Sequence, residues 1–163
     1  MIRVRLLALL GLSLLLPAAT ALAQGDYELR FPVGVRAGWT EWENRGQVHL
    51  GAHVALGEMM ENLYFTPNLE LGFGGGSTVA AFNGDVTWSF SEMATGGWGL
   101  YAGGSLGLIW ADPEDKAADA DLGLSVLAGL TRRFTNGHDG FLEVRAGVLD
   151  SPGLKVTFGY NLF

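Results

Sequence analysis

Val48-His49-Leu50-Gly51-Ala52-His53-Val54-Ala55-Leu56 sorts onto two faces. Val48, Leu50, Ala52, Val54 and Leu56 fall on one side; His49, Gly51, His53 and Ala55 fall on the other. Side chains of an extended chain alternate between opposite faces, so the stretch reads as a β-strand with one apolar face and one small, polar face. The pattern recurs along the chain and predicts eight strands, over 31–40, 46–57, 62–74, 77–90, 97–110, 121–134, 139–149 and 153–163. Turn-forming residues lie between them: Asn44-Arg45-Gly46, Gly74-Gly75-Gly76, Gly96-Gly97, Asn136-Gly137-His138-Asp139-Gly140 and Asp150-Ser151-Pro152-Gly153.

Residues 1–23 read differently. Arg3 and Arg5 precede an apolar run from Leu6 to Leu16, Pro17 breaks it, and Ala21-Leu22-Ala23 fits the small-x-small cleavage rule. The run is short of the roughly 20 apolar residues a membrane-spanning helix needs. A cleaved signal peptide is therefore expected over 1–23, with one domain over 24–163. Removal of Arg3 and Arg5 leaves 8 basic against 17 acidic residues, a net charge of −9. An acidic chain without a basic stripe argues against a nucleic-acid partner. There are no cysteines, so the stability of an exported fold must come from elsewhere, and a closed hydrogen-bonded barrel supplies it. Glycine is abundant, 25 of 163 residues, and it alternates with Leu, Val and aromatics, which suits the interior and bends of a small barrel rather than disorder.

Alternation leaves open which face is inside. A soluble lipocalin-like barrel turns its apolar face inward. Here the polar face is mostly Gly, Ser, Thr and Asn, and only 17% of the chain is charged, which is poor material for a water-facing exterior. Aromatics also collect near strand ends. If the N-terminus is periplasmic, Phe31, Trp88, Phe90, Trp98, Phe134, Tyr160 and Phe163 fall near the lower rim, and Trp39, Phe73 and Trp110 near the upper rim, as two interfacial girdles. The expected fold is thus all-β: an eight-stranded antiparallel up-and-down transmembrane β-barrel in the outer membrane.

The inward face then carries Arg36, His49, His53, Glu70, Asp85, Glu143, Arg145 and Lys155. A lipid-facing Arg at the bilayer midplane costs roughly 2–4 kcal/mol, which fixes Arg36 and Arg145 inward. Three cations meet three carboxylates, and an eight-stranded interior is just wide enough for side chains. A plugged, salt-bridged lumen without an open pore is expected, because each buried charge requires a partner.

Phe65-Thr66-Pro67-Asn68-Leu69-Glu70-Leu71-Gly72-Phe73-Gly74 and Gly97-Trp98-Gly99-Leu100-Tyr101-Ala102-Gly103-Gly104-Ser105-Leu106-Gly107-Leu108 resemble the small outer-membrane β-barrel domain family, with OmpA/OmpX-type architecture. The resemblance spans residues 24–163, and its motifs describe a barrel rather than a chemistry. It implies insertion by the barrel-assembly machinery through the last strand, with outer-membrane lipid and lipopolysaccharide as surroundings. Phe163 departs from the family signature by one residue, since Phe158, Tyr160 and Leu162 hold the lipid-facing parity. A monomer without cofactor or bound metal is expected.

Chemistry has two candidate locations. His49 and His53 share a face about 13 Å apart by strand rise, too far to ligate one metal. His49 with Glu70 and Ser105 or Thr40 would be needed for a lipid A-modifying enzyme, but no nucleophile is evident within reach. The segment Asp112 to Asp121 is acidic, could hold a helical turn, and offers hard oxygen atoms to divalent cations, yet it lacks an EF-hand pattern and contains Lys116. His138 falls in a turn with no partner chemistry. The leading expectation is a barrel with a structural or surface-interaction role; the alternatives are a lipid A-modifying enzyme, a narrow channel or small-molecule binder, and a soluble periplasmic barrel.

Overall fold

Among the described residues nine strands form one antiparallel sheet, and eight of them close it into a barrel. The computed structural model describes residues 32–90, 96–113 and 119–162. The strands are β1 Val33–Trp42, β2 Arg45–Val54, β3 Glu58–Met60, β4 Leu63–Gly74, β5 Ser77–Ser89, β6 Trp98–Pro113, β7 Asp119–Arg133, β8 Asp139–Leu149 and β9 Leu154–Asn161. Each wall strand pairs with its neighbour in sequence, β2 pairs with β4, and β1 pairs with β9 to close the ring. Closure removes the sheet edges, so the backbone groups of the wall satisfy one another without water.

The ends of the barrel differ. At the terminal end, where β1 begins and β9 finishes, Leu162 N–H donates to Val33 C=O at 2.8 Å. At the opposite, far end, β1 and β2 join through Glu43-Asn44, with φ of 48° and 61°, and β4 and β5 through Gly75-Gly76, with φ of 63° and 74°. Positive φ at both central residues matches the right-handed twist of a two-residue hairpin.

The alternation read from the sequence is the alternation of the wall. Val35, Val48, Leu50, Phe82, Leu106, Leu122, Val126, Leu142 and Phe158 stand on the outer surface, and Arg36, His49, Glu70, Asn83, Asp85, Ser125, Glu143, Arg145 and Thr157 are buried within. This inverts a soluble barrel and gives the outside an apolar band suited to lipid. Among the described residues no helix is long and apolar enough to cross a membrane.

Two boundaries differ from expectation. The second strand stops at Val54 rather than 57; Gly57 takes φ +87°, and Glu58–Met60 turns back at Asn62, with φ +61°, as a short extra strand on the start of β4. The acidic segment is not a ten-residue break. β6 continues through Pro113 and β7 starts at Asp119, with Ala111 opposite Asp119; residues 114–118 lie outside the described residues. The proposed signal peptide, Phe31 and Phe163 lie outside the described residues.

Candidate functional site: the filled and capped lumen

Strand parity delivers charged side chains from β1, β4, β5, β8 and β9 to one level of the barrel. Arg36 on β1 is the hub. Its Nη2 donates to Glu143 Oε1 at 3.2 Å and its Nη1 to Asp85 Oδ2 at 3.5 Å. Its Nε stands 3.1 Å from Glu70 Oε1, an ion pair whose angle is too poor for a hydrogen bond. Arg145 on β8 donates through Nη2 to Asp85 Oδ2 at 2.7 Å and Glu143 Oε1 at 2.9 Å, and through Nη1 to Ser105 Oγ at 2.9 Å. Lys155 on β9 donates to Glu70. All six expected charges therefore meet in one network, and each faces an opposite charge.

Neutral groups complete it. Asn68 Nδ2 donates to Asp85 Oδ2 at 2.8 Å, Asn83 Nδ2 to Asn68 Oδ1 at 2.9 Å, and the Tyr101 hydroxyl to Glu143 Oε2 at 3.0 Å. These donors meet the lone pairs that a bare ion pair leaves open, which a buried charge network requires. Asn68, Asn83 and Tyr101 were absent from the sequence-derived network, although all three sit on the inward parity.

Both histidines hold structural positions. His49 is only 1% exposed, and its Nε2 lies 3.1 Å from Thr157 Oγ1. His53 Nε2 lies 2.7 Å from Asn161 Oδ1, and its ring meets Phe141 edge-on at 5.3 Å. Phe141 points inward and also takes the Arg36 guanidinium over its ring at 5.5 Å. His53, Phe141 and Asn161 thereby fill the lumen on the terminal side of the charges. His138 Nδ1 lies 3.1 Å from Asn161 O and its ring stacks on Tyr160, tying the β7–β8 turn to the last strand.

The far end of the lumen is apolar. Val79, Ala81 and Ile109 form a buried cluster, with Trp42 and Ala111 packed on it. The expected inward set does not include these residues. Strict parity finds them: Val79 and Ala81 flank outward Ala80, and Ile109 sits between outward Leu108 and Trp110.

Between cap and charges lies a cavity of about 30 Å³, bordered by Thr40, Trp42, Gln47, His49, Glu70 and Lys155 among others. It brings Thr40, His49 and Glu70 to one space, while Ser105 is engaged by Arg145. That volume has room for one or two waters and no room for a lipid. Among the described residues no group of three or more His, Asp or Glu side chains is placed to hold a metal ion.

The aromatics of the two expected girdles divide by height. Trp39 and Phe73 lie at the far side, on the paired rows of β1, β2 and β4, with Trp110 near them on β6. Trp88, Phe90, Trp98 and Tyr160 lie toward the terminal end. Each is exposed on the outer surface except Tyr160, which is half-buried against Phe134 and His138.

No protein-family model matches the chain. No curated protein matches it either. Among solved structures, the crystal structure of Neisserial surface protein A (NspA) is similar, with TM-score 0.58 at 12% identity over 78% of this chain and 92% of that one. At that identity the likeness is one of fold: a small eight-stranded barrel.

Proposed function

We propose that this chain is a monomeric outer-membrane barrel of a Gram-negative envelope whose lumen is permanently filled and whose role is structural or surface-interacting. The carrying observation is the three-tiered interior, with apolar cap, paired charges and aromatic floor in series. A conducting path would have to breach all three. The likeness to a barrel called a surface protein supports the location. Insertion is assigned to the barrel-assembly machinery, with the termini in the periplasm and lipopolysaccharide around the far end.

In that orientation the outward rim is acidic. Glu41, Glu43, Asp112, Asp119, Asp121 and Asp150 lie at the far end, against Arg45 among the described residues. A surface of this sign favours cationic partners or shared divalent ions over anionic ones. The burial of His49 weighs against a lipid A-modifying enzyme, since an outer-leaflet lipid has no route to it.

The test is conductance of purified protein in planar bilayers. No stepwise current is expected. Discrete, reproducible channels from the intact chain would overturn the filled-lumen reading in favour of a pore.

A further inference from the structure

On the outer surface near the terminal end, Trp98 of β6 stands opposite Arg132 of β7 in the strand register. The Arg132 guanidinium lies over the Trp98 ring, 4.9 Å from its centroid, and its Nη1 donates to Gly96 C=O at 2.7 Å. Both residues hold the lipid-facing parity of their strands, continuing Leu100 and Leu130. Trp98, Gly99, Leu100 and Leu130 line a groove of about 290 Å³ beside the guanidinium. Gly99 contributes no side chain to it.

Among the described cations, Arg132 alone stacks on an indole and holds the lipid-facing parity; Arg45, at the far end, also lacks a carboxylate and donates to Gly75 C=O. Arg36, Arg145 and Lys155 are consumed in the lumen. Arg133, the next residue, is held by two hydrogen bonds to Asp139, at 2.7 and 2.6 Å. Arg132 has no carboxylate partner among the described residues; a carbonyl and an aromatic face hold it in place. An Arg on the lipid-facing parity is tolerable only near an interface, where its head reaches polar groups and its stem covers apolar surface. A guanidinium presents a planar fork of donors that matches a phosphate bidentately, and stacking on an indole pre-orients that fork.

We infer that Arg132, Trp98 and the adjoining groove form a binding site for one phospholipid, its phosphodiester headgroup on Arg132 and an acyl chain along Leu100 and Leu130. Charge complementarity selects the occupant: the site pairs a cation that no described carboxylate answers with an open apolar groove on the outer surface. The assignment rests on the reading that this barrel lies in a bilayer, with the terminal end toward the periplasmic leaflet.

Native mass spectrometry of the detergent-released barrel tests it, with phosphatidylglycerol added in one arm and diacylglycerol of the same chains in another. The wild type should retain one phosphatidylglycerol and no diacylglycerol. Arg132→Gln should weaken that adduct by about tenfold or more, the scale of a lost charge-assisted hydrogen bond. Arg45→Gln removes the described cation at the far end and should change nothing. Leu130→Trp, which fills the groove with Arg132 intact, should also lose the adduct and serves if Arg132→Gln fails to fold. Equal adducts in wild type and Arg132→Gln, or equal losses in Arg132→Gln and Arg45→Gln, would overturn the site. Each sample is first run cold and boiled in SDS. A wild type without a distinct cold form would overturn the membrane-barrel reading instead, a separate failure.

Discussion

Arg145 on β8 donates to Asp85 on β5 across the lumen at 2.7 Å, joining walls 60 residues apart in sequence. Asp85 also accepts from Asn68 and faces Arg36, so one carboxylate answers two guanidiniums. Asp85→Ala should lower the unfolding free energy in lipid vesicles by about 3–5 kcal/mol, the usual cost of stranding a buried charge. Urea titration followed by tryptophan fluorescence measures it, and a loss below about 1 kcal/mol would show that the network carries little.

Glu70 and Lys155 are partners of unequal rank. Glu70 faces both Lys155 and Arg36, whereas Lys155 faces Glu70 alone among the described residues. Glu70→Ala strands Lys155 and takes from Arg36 one of its three carboxylates, whereas Lys155→Ala leaves Glu70 with Arg36. The glutamate variant should therefore be the less stable of the two, by about 1–2 kcal/mol, in the same titration.

Adjacent glycines of β6 face opposite sides and should respond oppositely. A Cβ on Gly103 would run into backbone of β5, with Thr87 Cα at 2.8 Å, whereas one on Gly104 meets only Ser125 C=O at 3.7 Å. Gly103→Ala should cost about 1–3 kcal/mol as an overpacked interior, and Gly104→Ala should lie within about 0.5 kcal/mol of wild type.

The Arg133–Asp139 pair has good geometry but stands in solvent, with the Arg133 side chain 68% exposed. Asp139→Ala should cost less than about 1 kcal/mol. Equality with Asp85→Ala would mean that burial is not what gives the lumen pairs their strength.

Much of this was legible because a period of two is a strong signal. The run from Val48 to Val54 sets the faces of β2, and the cost of Arg in lipid sends Arg36 and Arg145 inward before any coordinate is known. Partner choice was not legible. Whether Arg145 answers Glu70 or Asp85 depends on the stagger of strands around the ring, which one-dimensional spacing does not carry. The Trp42–Ile109 cap was less legible, because its inward positions carry apolar side chains that look no different from those of the outer face. At the far rim inward side chains seal a mouth, so parity alone marks them as inward. The short β3 hairpin depends on two positive-φ residues, Gly57 before it and Asn62 in its turn, inside an otherwise strand-like stretch.

The central claim is a closed barrel with an apolar exterior and a filled interior. Its most direct test is electrophoretic mobility in SDS of protein from the outer-membrane fraction, unheated against boiled. A closed barrel has no free edge for detergent to open, so the unheated protein should keep a compact form and shift on boiling. Identical mobility, with the protein recovered from the soluble periplasm, would contradict the account and turn the apolar face inward.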